Sequence, residues 1–255
     1  MFCRISMGTA AFGAVLWTAL AGAVRSEETQ RYPNWEGQWR VGSPVLVWDS
    51  SKPFGFGQQP PLTPEYQAIF EANLVKARAG GYVDTSRTCG PNGMPRVMTL
   101  YVAMEIVIKP KATYMLLESM SPIRRIYTDG REWPTQFNPQ FSGYSIGRWL
   151  DSAGHGTFDA LEVETRNMRG PRLFDSSGIP LHSDNETVVK ERIYLDKFDG
   201  NILRNDITTF DHALTRPWTV SRFYRRDLNP VYEEYQSALV AAARAAQSRQ
   251  LRFRP

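Results

Sequence analysis

Met104-Glu105-Ile106-Val107-Ile108-Lys109-Pro110-Lys111-Ala112-Thr113-Tyr114-Met115-Leu116-Leu117 is the stretch on which the fold class turns. Two runs rich in β-branched and apolar residues flank Pro110-Lys111, and nothing between them leaves room for a crossover helix. They therefore read as an antiparallel hairpin. Met104, Ile106 and Ile108 alternate with Glu105 and Val107, the period of two that marks a half-buried strand. Outward from this hairpin the pattern recurs at 96–101, 113–119, 123–128, 142–150, 160–165, 187–196, 201–210 and 218–225, broken by Gly, Pro, Asn and Asp turns. Asp196-Lys197-Phe198-Asp199-Gly200-Asn201 is a second hairpin junction. The expectation is an all-β fold, mainly antiparallel, closing as an up-and-down barrel of about eight or nine strands. A barrel of that size is filled by side chains or keeps one small ligand cavity.

The flanks read differently. Residues 1–23 hold a charge at Arg4, an apolar run from Ile5 to Leu20 and Ala21-Gly22-Ala23, which together form an expected signal peptide with export to the periplasm. An uncleaved anchor helix is the competing reading of that run. Residues 24–62 form an irregular Trp/Pro/Gly-rich segment with one short expected strand at Val45-Leu46-Val47-Trp48. Residues 63–80 predict a helix, with Thr63 as N-cap, Pro64 in the first turn and Gly80-Gly81 as the stop. Such a helix is expected to pack across a barrel end. The barrel is assigned to 90–226, and 227–255 to a helical basic tail, the whole being one globular domain.

With 42% hydrophobic residues and a formal charge of +4, the chain has a sizeable core and no dense basic field. Nucleic acid is not an expected partner. Of the two cysteines, Cys3 falls in the leader, so Cys89 has no internal disulfide partner after cleavage and reads as a small apolar residue. No GxGxxG, P-loop or GxSxG motif occurs, and the three histidines, His155, His182 and His212, stand far apart without HExxH or HxH spacing. Neither a cofactor nor a metal is expected. His182-Ser183-Asp184 has the residue types of a triad, but neighbours on an extended chain point to alternate sides.

Charged and phenolic groups set within apolar strands carry the functional expectation: Glu105, Glu118, Arg125, Tyr127, Tyr144, Arg192 and Asp206. If they face a dry cavity they supply parts for proton transfer; otherwise they face solvent or pair with one another. Arg125 or Arg192 would anchor a carboxylate or phenolate, with Tyr144 beside them. Tyr127 or Tyr144 would donate a proton, and Glu105 or His182 would be the general base. The expected ligand-binding set is thus Arg125, Tyr144 and Arg192, and the expected catalytic set Glu105, Tyr127 and His182.

The ordered strings 89–96, Met104-Glu105-Ile106, Arg124-Arg125-Ile126-Tyr127-Thr128-Asp129-Gly130-Arg131, 143–149, Leu181-His182-Ser183-Asp184, Glu191-Arg192 and Arg216-Pro217-Trp218-Thr219 resemble a family of secreted bacterial lipocalin-like β-barrel proteins. That family is abundant in proteobacteria that degrade aromatic compounds. The resemblance covers residues 30–226. It implies an exported barrel that takes small aromatic or hydrophobic molecules, and a role as a cofactor-independent lyase. Residues 150–163 depart from the family's Glu-Gly-Asp-Thr-Leu-Val-Val and would reshape a pocket mouth. The expected function is acid-base catalysis on a small aromatic molecule in the barrel cavity, of lyase, decarboxylase or isomerase type. The alternatives are a non-catalytic carrier or sensor of the same fold, and an interaction protein if the barrel is packed solid. A homo-oligomer is compatible with each of them.

Overall fold

The computed structural model describes residues 31–43, 60–81, 83, 91–118 and 123–230. Strands β1 (Gln38–Val41), β2 (Met104–Lys109), β3 (Ala112–Leu117), β4 (Ile123–Tyr127), β5 (Tyr144–Leu150), β6 (Ala160–Arg166), β7 (Arg172–Leu173), β8 (Pro180–Leu181), β9 (Val188–Leu195), β10 (Ile202–Phe210) and β11 (Trp218–Asp227) follow in chain order. Nine of them close a barrel in the order β1-β11-β10-β9-β6-β5-β4-β3-β2, and β7 and β8 form a separate two-stranded ribbon.

The barrel departs from an up-and-down meander in two places. Strands β4 and β5 are parallel, with Tyr127 opposite Ile146. Parallel neighbours need a long crossover, which residues 128–143 supply. Next, the chain leaves the barrel between β6 and β9 for the β7–β8 ribbon. The closure itself is that of a meander: β1 sits between β11 and β2, pairing Gln38 with both Asp227 and Glu105 and so sealing the barrel. The sequence expected no strand at β1, β7 or β8. Residues 96–101, expected as a strand, instead begin with a 3-10 turn at Arg96–Thr99. The expected strand at 45–48, Cys89, the leader and the helix of the C-terminal tail lie outside the described residues.

Helix α1 (Pro64–Arg78) starts as the sequence predicts: the Thr63 hydroxyl accepts from the Tyr66 N–H at 3.4 Å, and Pro64 occupies the first turn. It buries Phe70 and Leu74 and is tied to the β7–β8 excursion by Asn73, whose Nδ2 donates to the Gly178 carbonyl at 2.8 Å. Phe174 and Ile179 of that excursion are fully buried, and Phe174 packs on Trp218 at 4.7 Å between ring centroids. Elsewhere Tyr32, Trp35, Trp149 and Phe158 form a second aromatic cluster.

Between these clusters the barrel interior alternates as a closed sheet must. Met115, Ile126, Leu161, Val163, Val189 and Ile207 are among the buried inward positions. Mixed with them is a polar cluster centred on Arg124 and Glu191. Among the described residues, no helix is long and apolar enough to cross a membrane.

Candidate functional site

The connection from β4 to β5 builds the site, because the chain must return outside the barrel before β5 can run parallel to β4. Residues 128–143 therefore lie as a strap against the outer surface. Gly143, with φ +65°, turns the strap back into β5, and a Cβ there would lie 2.7 Å from the Arg166 carbonyl oxygen. Backbone bonds fasten the strap: Met94 N donates to Phe141 O at 3.0 Å, and Gln140 N to Asn167 O at 3.1 Å.

Under the strap an aromatic stack forms. Tyr127 and Tyr144, outward neighbours on β4 and β5, stack with centroids 5.0 Å apart, and Phe137 meets Tyr144 edge-on at 4.9 Å. The Arg131 guanidinium lies 3.6 Å from the Tyr127 ring centroid and donates to the Tyr144 hydroxyl at 3.2 Å. It also grips Asp129 through two bonds of 2.8 and 2.7 Å, holding that carboxyl well below its usual range, at about 2. The strap's arginine is thereby fixed in orientation by a carboxylate on one side and two phenols on the other.

Beside the strap a groove of about 800 Å³ opens over the outer surface of β5, β6, β9 and β10. Trp133, Ile146, Tyr32 and Phe158 give it apolar walls, while Arg148 and Arg192 supply guanidinium groups. Both arginines pair with one carboxylate, Glu162, at 3.0 and 3.4 Å. These pairs are solvent-exposed and individually weak, so Glu162 holds the two arginines only loosely. The volume falls within the ~300–1,000 Å³ usual for small-molecule sites.

The sequence-derived residues divide between four places. Arg125, Tyr127 and Tyr144 come together at the strap, where the Tyr127 hydroxyl accepts from Arg125 at 3.5 Å and raises its affinity for protons. Arg192 lines the neighbouring groove. Glu105 stands apart on β2, opposite Gln38. His182 follows β8 in a different cluster. All five strand residues, Glu105, Arg125, Tyr127, Tyr144 and Arg192, alternate with the buried positions of their strands and so face outward. The expectation of a site inside the barrel is corrected accordingly: the polar groups that face inward are their chain neighbours. Arg124 is bonded to Glu191 through both nitrogens, one at 3.0 Å, with the two side chains 2% and 0% exposed. Asn205 donates to the same carboxylate at 2.9 Å, and Thr165 accepts from Arg124 at 3.1 Å.

His182 and His212, thirty positions apart in the chain, meet at Asp184. Their Nδ1 atoms lie 2.9 and 2.5 Å from its Oδ2. Spacing alone could not reveal this meeting, because the ribbon β7–β8 and the turn after β10 bring the two loops together. Likewise nothing in the sequence marks Arg131, Trp133 and Arg148 as groove residues, since only the parallel crossover places the strap against the sheet.

No protein-family model matches the chain, and no curated protein is similar enough to register as a match.

Proposed function

We propose that this protein is exported and binds a small planar aromatic acid in the strap groove, acting as a carrier or sensor. The observation that carries this reading is the pairing, in one groove, of Trp133 and other apolar walls with the guanidiniums of Arg148 and Arg192. An aromatic ring would stack on the former while its carboxylate or phenolate exchanges with Glu162. Carriage is favoured over lyase chemistry because the candidate bases, Glu105 and His182, stand away from the phenol pair Tyr127–Tyr144. Export is supported by the apolar run and the Ala21-Gly22-Ala23 site.

The test is titration of the purified, processed protein with a panel of aromatic carboxylates, read by quenching of tryptophan fluorescence and followed by mass analysis of the mixture. Saturable quenching is expected, with the ligand recovered unchanged. Trp133→Ala and the Arg148→Gln/Arg192→Gln pair should each weaken binding by about tenfold or more, equivalent to ~1.4 kcal/mol. Undiminished binding in these variants, no binding by the panel, or a new product mass would overturn the carrier assignment. The intact mass of protein recovered from the periplasm should correspond to a chain beginning at Val24, and retention of residues 1–23 would refute processing at this site.

A further inference from the structure

The loop after β8 and the turn after β10 bring three metal-ligating side chains together: His182, Asp184 and His212 offer ligand atoms that all lie within 4.8 Å of one another. We propose that these residues form a binding site for one divalent first-row transition ion, with Zn²⁺ as the representative, and that its open coordination position takes a small anion.

The geometry supports convergence rather than chance proximity. Both imidazole Nδ1 atoms face one oxygen, Asp184 Oδ2, at 2.9 and 2.5 Å, and the two rings stand at 82° with centroids 5.7 Å apart. A tetrahedral ion with bonds of ~2.0–2.1 Å separates its ligand atoms by about 3.3 Å, so the two histidine–carboxylate distances open and the farthest pair of ligand atoms, within 4.8 Å, closes around it. The His182 Nδ1 accepts from the Asp184 backbone N–H at 3.1 Å, so an ion taking that nitrogen replaces this hydrogen bond.

The scaffold behind the ligands is built and partly buried. Asp211 Oδ1 accepts from the backbone N–H groups of His182 at 2.9 Å and Ala213 at 2.8 Å, and Oδ2 accepts from the Thr187 hydroxyl. Arg172, buried beneath, donates to the His182 carbonyl at 3.3 Å and to the Thr187 hydroxyl. One carboxylate and one guanidinium thus clamp the segments that carry both histidines, as outer groups do around metal ligands. Two imidazoles and one carboxylate suit a borderline ion rather than Ca²⁺ or Mg²⁺, and three protein ligands leave a position open.

A cleft of about 260 Å³ adjoins His212 and is lined by Glu186, Phe210 and Arg216. Arg216 is the cationic side chain of this cleft, beside the carboxylates of Glu186 and Asp211, and would supply the donors for an anion of acetate or phosphate size beside the ion.

Untagged, chelator-stripped full-length protein is titrated with Zn²⁺ by calorimetry and with Co²⁺ by visible absorption. One equivalent of Zn²⁺ should bind per chain, and Co²⁺ should show ligand-field bands of a low-coordinate N/O site that shift on adding acetate. His212→Gln, at an exposed side chain, should weaken Zn²⁺ by about 100-fold or more, because losing a ligand exceeds the ~10–100-fold cost of losing its supporting partner. His182→Gln and Asp184→Asn should do likewise, while His155→Gln, in another loop, should change nothing. Circular dichroism checks that each variant is folded. Absence of stoichiometric uptake, or uptake insensitive to His212→Gln in folded protein, overturns the site; bands indifferent to acetate overturn its anion position.

Discussion

Arg124 and Glu191 form a bidentate pair inside the barrel, supported by Asn205 and Thr165. Removing one partner strands a charge in a medium that cannot solvate it, typically costing ~3–5 kcal/mol, whereas replacing both with apolar groups is often close to neutral. Urea unfolding should therefore find Arg124→Met strongly destabilised and Arg124→Met/Glu191→Leu substantially recovered. Equal loss in the single and the double variant would show that volume, not charge, governs this position. The same residues explain why the candidate site was misplaced in the sequence. Arg124 and Arg125 are adjacent, as are Glu191 and Arg192, and a shift of one residue exchanges the inner and outer faces of a strand. Where both members of a pair are charged, polarity does not tell which one points inward. Burial does, and burial depends on the closed barrel.

The strap from 128 to 143 shows what an irregular element can do when its two ends are fixed by parallel strands. Its return into β5 needs a left-handed residue at Gly143, where a side chain would also press on Met168 and the Arg166 carbonyl. Left-handed geometry costs an L-residue ~1–2 kcal/mol before any contact is counted. Gly143→Ala should therefore lower stability by at least that much, and the displaced strap should weaken aromatic-acid binding more than Gly130→Ala. At Gly130, φ is +74° but nothing lies within 4 Å of an added Cβ. Equal effects at the two glycines would mean that conformation alone, without crowding, sets the outcome. Local chemistry made several elements legible. Pro110-Lys111 forms the two-residue turn between Lys109 and Ala112, and Thr63-Pro64 starts α1. The parallel pairing of β4 and β5 was not legible, because a Pro- and Asn-containing connection reads equally well as a long hairpin loop.

At the scale of the molecule, period-two patterning correctly indicated a barrel but not its wiring. Eight of the long strands lie where alternation places them. By contrast, β1 has only the four residues Gln-Trp-Arg-Val, too short to show a period, and β7 and β8 have two each. What makes β1 a strand is its neighbours: Trp39 lies opposite Met104 on one side and Arg226 on the other, and its indole donates to the Trp35 carbonyl at 2.9 Å. The His182–Asp184–His212 cluster was hidden for the same reason, being a product of loops joined by tertiary packing. The seam at β1 also sets an order of events. Gln38 must wait for Asp227 before the circle of strands can be completed. A nascent chain that has not yet released β11 therefore keeps two open sheet edges with unsatisfied backbone groups, exposed to any strand-like neighbour until synthesis reaches that point.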